Sequence, residues 1–269
     1  MRQFRGAARR FAAAVAVSTV AVGTAMIGTP AYAAEAHYAA LGDSYASGTG
    51  TREYFEDSGD CQRGPKAYPQ LLADANSPAS FEFAACSGDT TDDLNAGQLG
   101  ALSAETTLVT VQIGGNDVGF AKTISSCLLG SDEGCASAVA AGEAKARDEL
   151  PGKLKTTYDN IRAAAPNAEV VVVGYPHVNE LGDCDIPGYT EAKRKSINAG
   201  SDVLAEVISA QAESAGFSYA DPRENFAGHG VCGGSEWING PSSPLTESFH
   251  PNVAGHAEGY LPTVQSITG

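Results

Sequence analysis

The chain has 269 residues and a formal net charge of −15 at neutral pH. A chain this acidic repels phosphate backbones, which argues against a nucleic-acid-binding protein. Its length, with no low-complexity linker or internal repeat, suits one folded domain.

The first 33 residues are typical of a secretory signal that is removed during export. Four arginines form a basic start, and residues 11–28 are almost wholly apolar. Residues 31–33, Ala-Tyr-Ala, then supply a small-residue cleavage site. A membrane anchor is the alternative, but the apolar stretch is short and leads directly into that site. We therefore predict cleavage after Ala33, secretion, and a mature domain over residues 34–269 whose net charge, without the four arginines, is −19.

All six cysteines lie beyond the predicted signal. An even number of cysteines in an exported chain indicates disulfides. No neighbouring pair has the two-residue spacing of a zinc or redox motif, so we predict neither a metal nor a cofactor. Several pairings are open to six cysteines, and proximity along the chain favours Cys61 with Cys86, Cys127 with Cys135, and Cys184 with Cys232.

From residue 36 onward, short apolar runs alternate with longer helical stretches, which is the pattern of a parallel sheet covered on both faces. Strands are predicted at residues 38–41, 81–85, 107–113, 169–175 and 217–220. Helices are predicted at residues 68–75, 136–165 with a break at Pro151, 191–215 and 252–267. The predicted fold class is therefore α/β.

Three short motifs each follow a predicted strand, at the sheet edge where parallel α/β proteins bind ligands. The first, Gly42-Asp43-Ser44, offers a hydroxyl nucleophile. The second, at residues 85–89, contains Gly88, whose backbone N–H can approach an oxyanion. The third, Gly115-Asn116-Asp117, offers a side-chain amide as a further donor. Each motif alone is explained as well by a tight turn or a helix cap.

A serine nucleophile needs a base, because an alcohol is hardly ionised at neutral pH. We choose His250 among the five histidines. Pro251 favours a helix start and so places His250 in the preceding loop, while the acid Glu247 lies three residues before it. His177 also follows a strand but has no acid at that spacing.

In this order, the glycine-aspartate-serine motif, Gly88, the glycine-asparagine-aspartate motif and His250 resemble the four sequence blocks of the SGNH hydrolases, also called the GDSL family of lipases and esterases. The resemblance covers the mature chain and points to the secreted actinobacterial lipase, esterase and phospholipase A1 group. It implies a three-layer α/β/α sandwich around a flavodoxin-like, five-stranded parallel sheet. It also implies the same three cysteine pairs.

By that resemblance, Ser44 is the nucleophile and His250 the general base. The backbone N–H groups of Ser44 and Gly88, with the side chain of Asn116, then form the oxyanion hole. Tyr45 replaces the leucine of the family motif, a difference that we expect to affect packing rather than chemistry.

A second departure from the family lies three residues before the base, where Glu247 replaces the aspartate that orients the histidine. Its side chain is one methylene longer. Either the Glu247 carboxylate or a main-chain carbonyl, that of Glu247 or Ser248, is therefore expected to orient His250.

We predict a secreted, monomeric serine hydrolase that cleaves carboxylic esters of lipids through an acyl-enzyme, with lipase, esterase and phospholipase A1 activity as its range. Contact with a lipid interface would be transient. A carbohydrate esterase of the acetylxylan type is the enzymatic alternative. An exported binding module of the same fold that has lost activity is the other alternative, and the presence of every expected catalytic residue argues against it.

Overall fold

The computed structural model describes residues 1, 3 and 35–269. The predicted cleavage site after Ala33, with nearly all of the predicted signal, lies outside these residues. Within the part of the chain that is described, no helix combines the length and the apolar character needed to cross a membrane.

A five-stranded sheet forms the centre of the fold, and its strands follow the order β2-β1-β3-β4-β5 with every neighbouring pair parallel. This is the flavodoxin-like order. Residues 170–173, four valines in succession, are almost fully buried, as expected for a strand covered on both faces. The strands are β1 (His37–Gly42), β2 (Ser80–Phe83), β3 (Leu108–Gln112), β4 (Glu169–Val173) and β5 (Ser218–Ala220).

Eight α-helices surround the sheet in residues 35–269: α1 (Ser44–Ser47), α2 (Tyr68–Asn76), α3 (Thr91–Gly97), α4 (Phe120–Leu129), α5 (Asp132–Asp148), α6 (Leu150–Ala164), α7 (Glu191–Ser214) and α8 (Leu261–Thr268). Helices α3 to α7 pack against one another, and α1, α2 and α8 form a second group that contacts the same sheet. The α/β/α sandwich is thereby confirmed.

The predicted elements differ from the observed ones mainly at their ends. The long helix predicted over residues 136–165 is two helices, and Pro151 lies in the first turn of α6, where a missing backbone N–H costs nothing. The last predicted helix begins with a π-helical segment, Gly255–Tyr260, before α8. Sequence patterns did not predict α1, α3 or α4.

Three disulfides join the cysteine pairs that the sequence analysis expected: Cys61–Cys86, Cys127–Cys135 and Cys184–Cys232. The first holds the loop before α2 against the loop that contains Gly88, and the Ser87 N–H donates to the Cys61 carbonyl at 3.1 Å. The second links α4 to α5. The third ties the loop after β4 to the segment that precedes His250.

Candidate active site

Ser44 lies where β1 leaves the sheet. Gly42 has a φ of +144°, and a Cβ atom there would come within 2.4 Å of the Gln112 carbonyl oxygen, so only glycine fits this exit. The Asp43 carboxylate caps α1 by accepting from the Tyr45 N–H at 3.0 Å. Ser44 is therefore the first residue of α1, and its own N–H has no partner within the helix.

His250 lies on a loop that returns to the same sheet edge, and its Nε2 atom is 2.8 Å from the Ser44 Oγ. The preceding residue, Phe249, is fully buried and has a φ of +58°, which is rare for a bulky residue. A bridge between Pro251 and Ile238 holds the other side of the loop. The two residues predicted as nucleophile and base are thus brought into hydrogen-bond contact.

The Ser248 carbonyl oxygen orients His250, at 3.0 Å from Nδ1. The side-chain alternative for Glu247 is wrong, because this carboxylate is used elsewhere. It accepts from the Arg52 Nε at 3.1 Å and from the Tyr54 hydroxyl at 2.9 Å. The residue is buried, and these two partners supply the hydrogen bonds that its carboxylate needs there. The geometry is that of a serine–histidine pair supported by a main-chain carbonyl.

Glu247→Gln is therefore expected to lower kcat by less than about tenfold. Removal of the acid from a side-chain triad costs roughly 10⁴-fold, whereas this substitution leaves the Ser248 carbonyl in place. Steady-state kinetics on a soluble ester, with a thermal unfolding curve to detect loss of the Arg52 pair, measure the difference. A 10³-fold loss in a folded variant would return Glu247 to the catalytic group.

Burial lowers the pKa of His250 to about 4, and the bond to the Ser248 carbonyl only partly offsets this effect by favouring the protonated ring. A neutral imidazole is the form that accepts a proton from serine. His250 is therefore held in its basic form at neutral pH, which lies well above this pKa.

The acid limb of kcat/KM is expected near pH 4 rather than near 6.5, the value of an unperturbed histidine. Activity is lost as pH falls through the folded-state pKa, because protonated His250 cannot accept the serine proton. The rate of product formation from a neutral ester can be measured by chromatography down to about pH 3. A limb near pH 4 is then distinguished from the titration of Asp43, whose pKa is about 7. A single limb at 6.5 would contradict the assignment of His250 as the base.

The three predicted oxyanion donors follow the neighbouring strands β1, β2 and β3. Ser44 and Asn116 line one cavity, the Ser44 cleft, together with Phe120, Tyr175, Ser201 and Leu204. Gly88 does not line it, but its loop is fastened to Asn116, whose Nδ2 donates to the Asp89 carbonyl at 2.9 Å. Gly88 has a φ of +90° and open space beside it, so its N–H stands on an uncrowded turn. An amide carries two N–H groups, which leaves one on Asn116 for a ligand.

Asn116→Ala is expected to lower kcat by about 100-fold or more, the usual cost of removing one oxyanion donor. The chain should remain folded, because the substitution removes a single hydrogen bond, worth about 1 kcal/mol, at a half-buried position. Turnover with saturating p-nitrophenyl butyrate, beside circular dichroism of the variant, tests this. Near-normal kcat would remove Asn116 from the site.

Tyr175 was not predicted as a site residue. Its hydroxyl connects the residue before Ser44 to the residue before Asn116. Its hydroxyl donates to the Asp43 carboxylate at 2.5 Å and accepts from the Gly115 N–H at 3.2 Å. Burial raises the pKa of Asp43 to about 7, and the Tyr175 hydrogen bond opposes that rise. Its position in the sequence could have indicated a site residue, because Tyr175 follows β4 at the carboxyl edge of the sheet.

Tyr45 has a polar contact that the sequence did not suggest. Its hydroxyl donates to the Phe249 carbonyl at 2.6 Å, and its ring lies 5.2 Å from that of His250. Tyr45 therefore also holds the backbone beside the base, and its lack of a role in the chemistry stays a prediction. His177, the other histidine at a strand end, instead pairs with Asp202 at 2.7 Å on an exposed surface.

The sequence pattern of the GDSL-like Lipase/Acylhydrolase family matches residues 40–258 of this chain. Lipase 1 of Streptomyces coelicolor is 48% identical over 228 residues, which span 84% of this chain and 85% of that protein. Two solved structures are also similar over most of their length. The extracellular lipase of Streptomyces rimosus is 41% identical with a TM-score of 0.84, covering 86% of this chain and 99% of that one. The phospholipase A1 of Streptomyces albidoflavus is 45% identical with the same TM-score, covering 87% and 99%.

Proposed function

Because the chain belongs to the GDSL-like lipase and acylhydrolase family, we propose that it is a secreted hydrolase of carboxylic esters whose substrates are lipids. The observation that carries the proposal is the 2.8 Å contact between the Ser44 Oγ and the His250 Nε2. The names of similar proteins, two lipases and a phospholipase A1, favour lipid esters among the possible substrates.

The proposed reaction is an acyl transfer in two steps. His250 takes the proton of Ser44 as the serine oxygen attacks the ester carbonyl, and then returns it to the departing alcohol. Water repeats the sequence on the acyl-enzyme and releases the acid. The negative charge on the tetrahedral oxygen is held by the backbone N–H groups of Ser44 and Gly88 and by the amide of Asn116.

Export belongs to the same proposal. The predicted signal over residues 1–33, cleavage after Ala33 and a single mature domain are supported by three disulfides, which persist in oxidising compartments. A similar protein is itself described as an extracellular lipase. Amino-terminal sequencing of the protein from a culture supernatant, expected to begin at Ala34, tests the export and the cleavage site together.

A substrate panel on the disulfide-intact mature protein tests the activity. We expect hydrolysis of p-nitrophenyl butyrate, of triacylglycerol emulsions and of the sn-1 ester of phosphatidylcholine vesicles, each abolished by prior treatment with a serine-directed phosphonate. Acetylated xylan should release little acetate. Acetate release from xylan far above fatty-acid release would favour the carbohydrate esterase instead, and no hydrolysis of any ester would favour a binding module.

A further inference from the structure

Gln98 is a buried polar side chain that the proposed reaction does not use. It caps the last turn of α3 and is 3% exposed. Its Oε1 atom accepts from the Gly42 N–H at 2.8 Å, and its Nε2 atom donates to the Gly42 carbonyl at 2.8 Å. The same Nε2 atom donates to the Asp89 carboxylate at 2.7 Å. Both N–H groups of the amide are therefore in use, and their acceptors fix its orientation.

The contact with Gly42 takes the place of a missing strand. One side of β1 is paired with β3 as far as Gly42. On its other side the pairing with β2 ends earlier, where Phe83 lies opposite Ala40. A buried backbone N–H without a partner is costly, and the amide of Gln98 supplies that partner for Gly42. Gln98 thereby fixes the point at which the chain leaves β1 and turns into Ser44.

The contact with Asp89 extends the same restraint to the other two oxyanion donors. Asp89 directly follows Gly88, and its carbonyl oxygen accepts from the Asn116 Nδ2 at 2.9 Å. Gln98 therefore bonds directly to the turn before Ser44 and, through Asp89, to the loop of Gly88 and to Asn116. Oxyanion donors act only when they point at one place, so their mutual positions decide how well they hold the charge.

Helix α3 holds Gln98 in place because its other end is also fastened to the site. Thr91, the first residue of α3, donates to the Asp117 carboxylate from its N–H at 3.0 Å and from its hydroxyl at 2.7 Å. Asp117 directly follows Asn116, and its side chain is buried. The helix therefore connects the asparagine motif at one end to the exit of β1 at the other.

We propose that Gln98 is a positioning residue for the oxyanion hole, an inference that rests on the proposed ester hydrolysis. Within residues 35–269, the lining of the Ser44 cleft does not include Gln98, so it acts through the backbone that it holds. A displaced donor weakens binding of the tetrahedral oxygen more than binding of the uncharged ester. The loss of Gln98 should therefore lower kcat and leave KM nearly unchanged.

The test measures kcat and KM for p-nitrophenyl butyrate, with a thermal unfolding curve, in the wild type, Gln98→Met and Thr157→Val. Methionine keeps the length of Gln98 and removes its three hydrogen bonds, so we expect kcat to fall roughly 10- to 100-fold with KM within about threefold.

Thr157→Val is the matched control. Thr157 is buried and accepts from Asn95 of α3 at 3.0 Å, so this substitution removes a hydrogen bond of the same helix away from the three donors. Its kcat should stay within about twofold of wild type. Near-normal kcat in folded Gln98→Met, or an equal loss in Thr157→Val, would overturn the positioning role.

A double variant shows whether Gln98 acts through the oxyanion hole. Residues that act as a unit have effects that do not multiply. Gln98→Met combined with Asn116→Ala should therefore lose clearly less kcat than the product of the two single losses. A loss equal to that product would overturn the proposal, because Gln98 would then act independently of Asn116.

Asp89 provides the test if Gln98→Met does not fold, since it is only half-buried. Asp89→Ala removes the acceptor and leaves the pairing of Gln98 with Gly42, so kcat should fall by roughly fivefold or more at nearly constant KM. Asp89→Asn keeps a side-chain oxygen that can accept and should stay within about twofold of wild type. Wild-type kcat in Asp89→Ala would overturn the positioning role, whereas failure of the wild type on every ester would overturn the proposed function.

Discussion

Ser44→Ala is expected to lower ester hydrolysis by roughly 10⁴-fold or more and to abolish labelling by a serine-directed phosphonate. The proposed acyl-enzyme forms on the Ser44 Oγ, and alanine has no atom that can replace it. Mass spectrometry of the labelled protein, with initial rates on p-nitrophenyl butyrate, measures both effects. The fold should be unaffected, because within residues 35–269 the Ser44 side chain has one hydrogen-bond partner, His250.

Ser47→Ala is the matched control, since Ser47 lies in the same short helix and is buried. Its hydroxyl donates to the Ser44 carbonyl at 3.3 Å, so its loss should cost about 1 kcal/mol of stability and little labelling. Persistent labelling in Ser44→Ala would place the nucleophile on another residue. Loss of labelling in both variants would indicate damage to the helix rather than to the nucleophile.

His250→Ala is expected to lower kcat by roughly 10³- to 10⁴-fold, because no other described imidazole contacts the Ser44 hydroxyl. The measurement is kcat on the same ester from neutral pH down to about pH 3, so that it covers both the plateau and the acid limb of the wild type. The variant should also lose the acid limb near pH 4, since that limb belongs to the removed ring. A variant that keeps the limb would show that another group controls it.

His177→Ala is the natural comparison, because both histidines lie at the carboxyl edge of the sheet. His177 is exposed and pairs with Asp202, and exposed pairs contribute about 0–1 kcal/mol. We expect less than a twofold change in kcat from its removal. A large loss in His177→Ala, with His250→Ala still active, would exchange the two assignments.

The sheet could be predicted well because each strand is a short apolar run, and buried parallel strands need little else. The ends were less predictable. β2, on the edge of the sheet, stops at Phe83. The Ala84 N–H makes the last regular ladder bond to the Ala40 carbonyl, and the Ala85 N–H shares that carbonyl instead of continuing the ladder. No side-chain pattern encodes that departure.

The helix α4 was missed for a different reason. Gly119 and Gly130 bound it and leave only ten residues between them, so its helical pattern is short. Its first residue, Phe120, nevertheless lines the Ser44 cleft. Packing against α5, reinforced by the disulfide between Cys127 and Cys135, stabilises what local propensity alone would not.

The order of the motifs predicted that Ser44 pairs with His250. It did not identify the group that orients the histidine. Its identity depends on the backbone of Phe249, in the left-handed region, and on the attraction of Glu247 to Arg52. Arg52 is far from Glu247 along the chain, and no local pattern links the two. A glutamate at that spacing therefore reads like a triad acid until its ion partner is known.

The hydrogen bond from Tyr45 to Phe249 bears on how this chain can be engineered. Consensus design replaces unusual residues by those most common in a family, and here it would choose the leucine of the motif for Tyr45. That choice would leave the buried Phe249 carbonyl without its donor, at a cost of about 1–3 kcal/mol, one residue from the base. A library for this chain should therefore keep tyrosine at position 45, because the acceptor is the main-chain carbonyl of residue 249 and no substitution at position 249 can replace the lost donor.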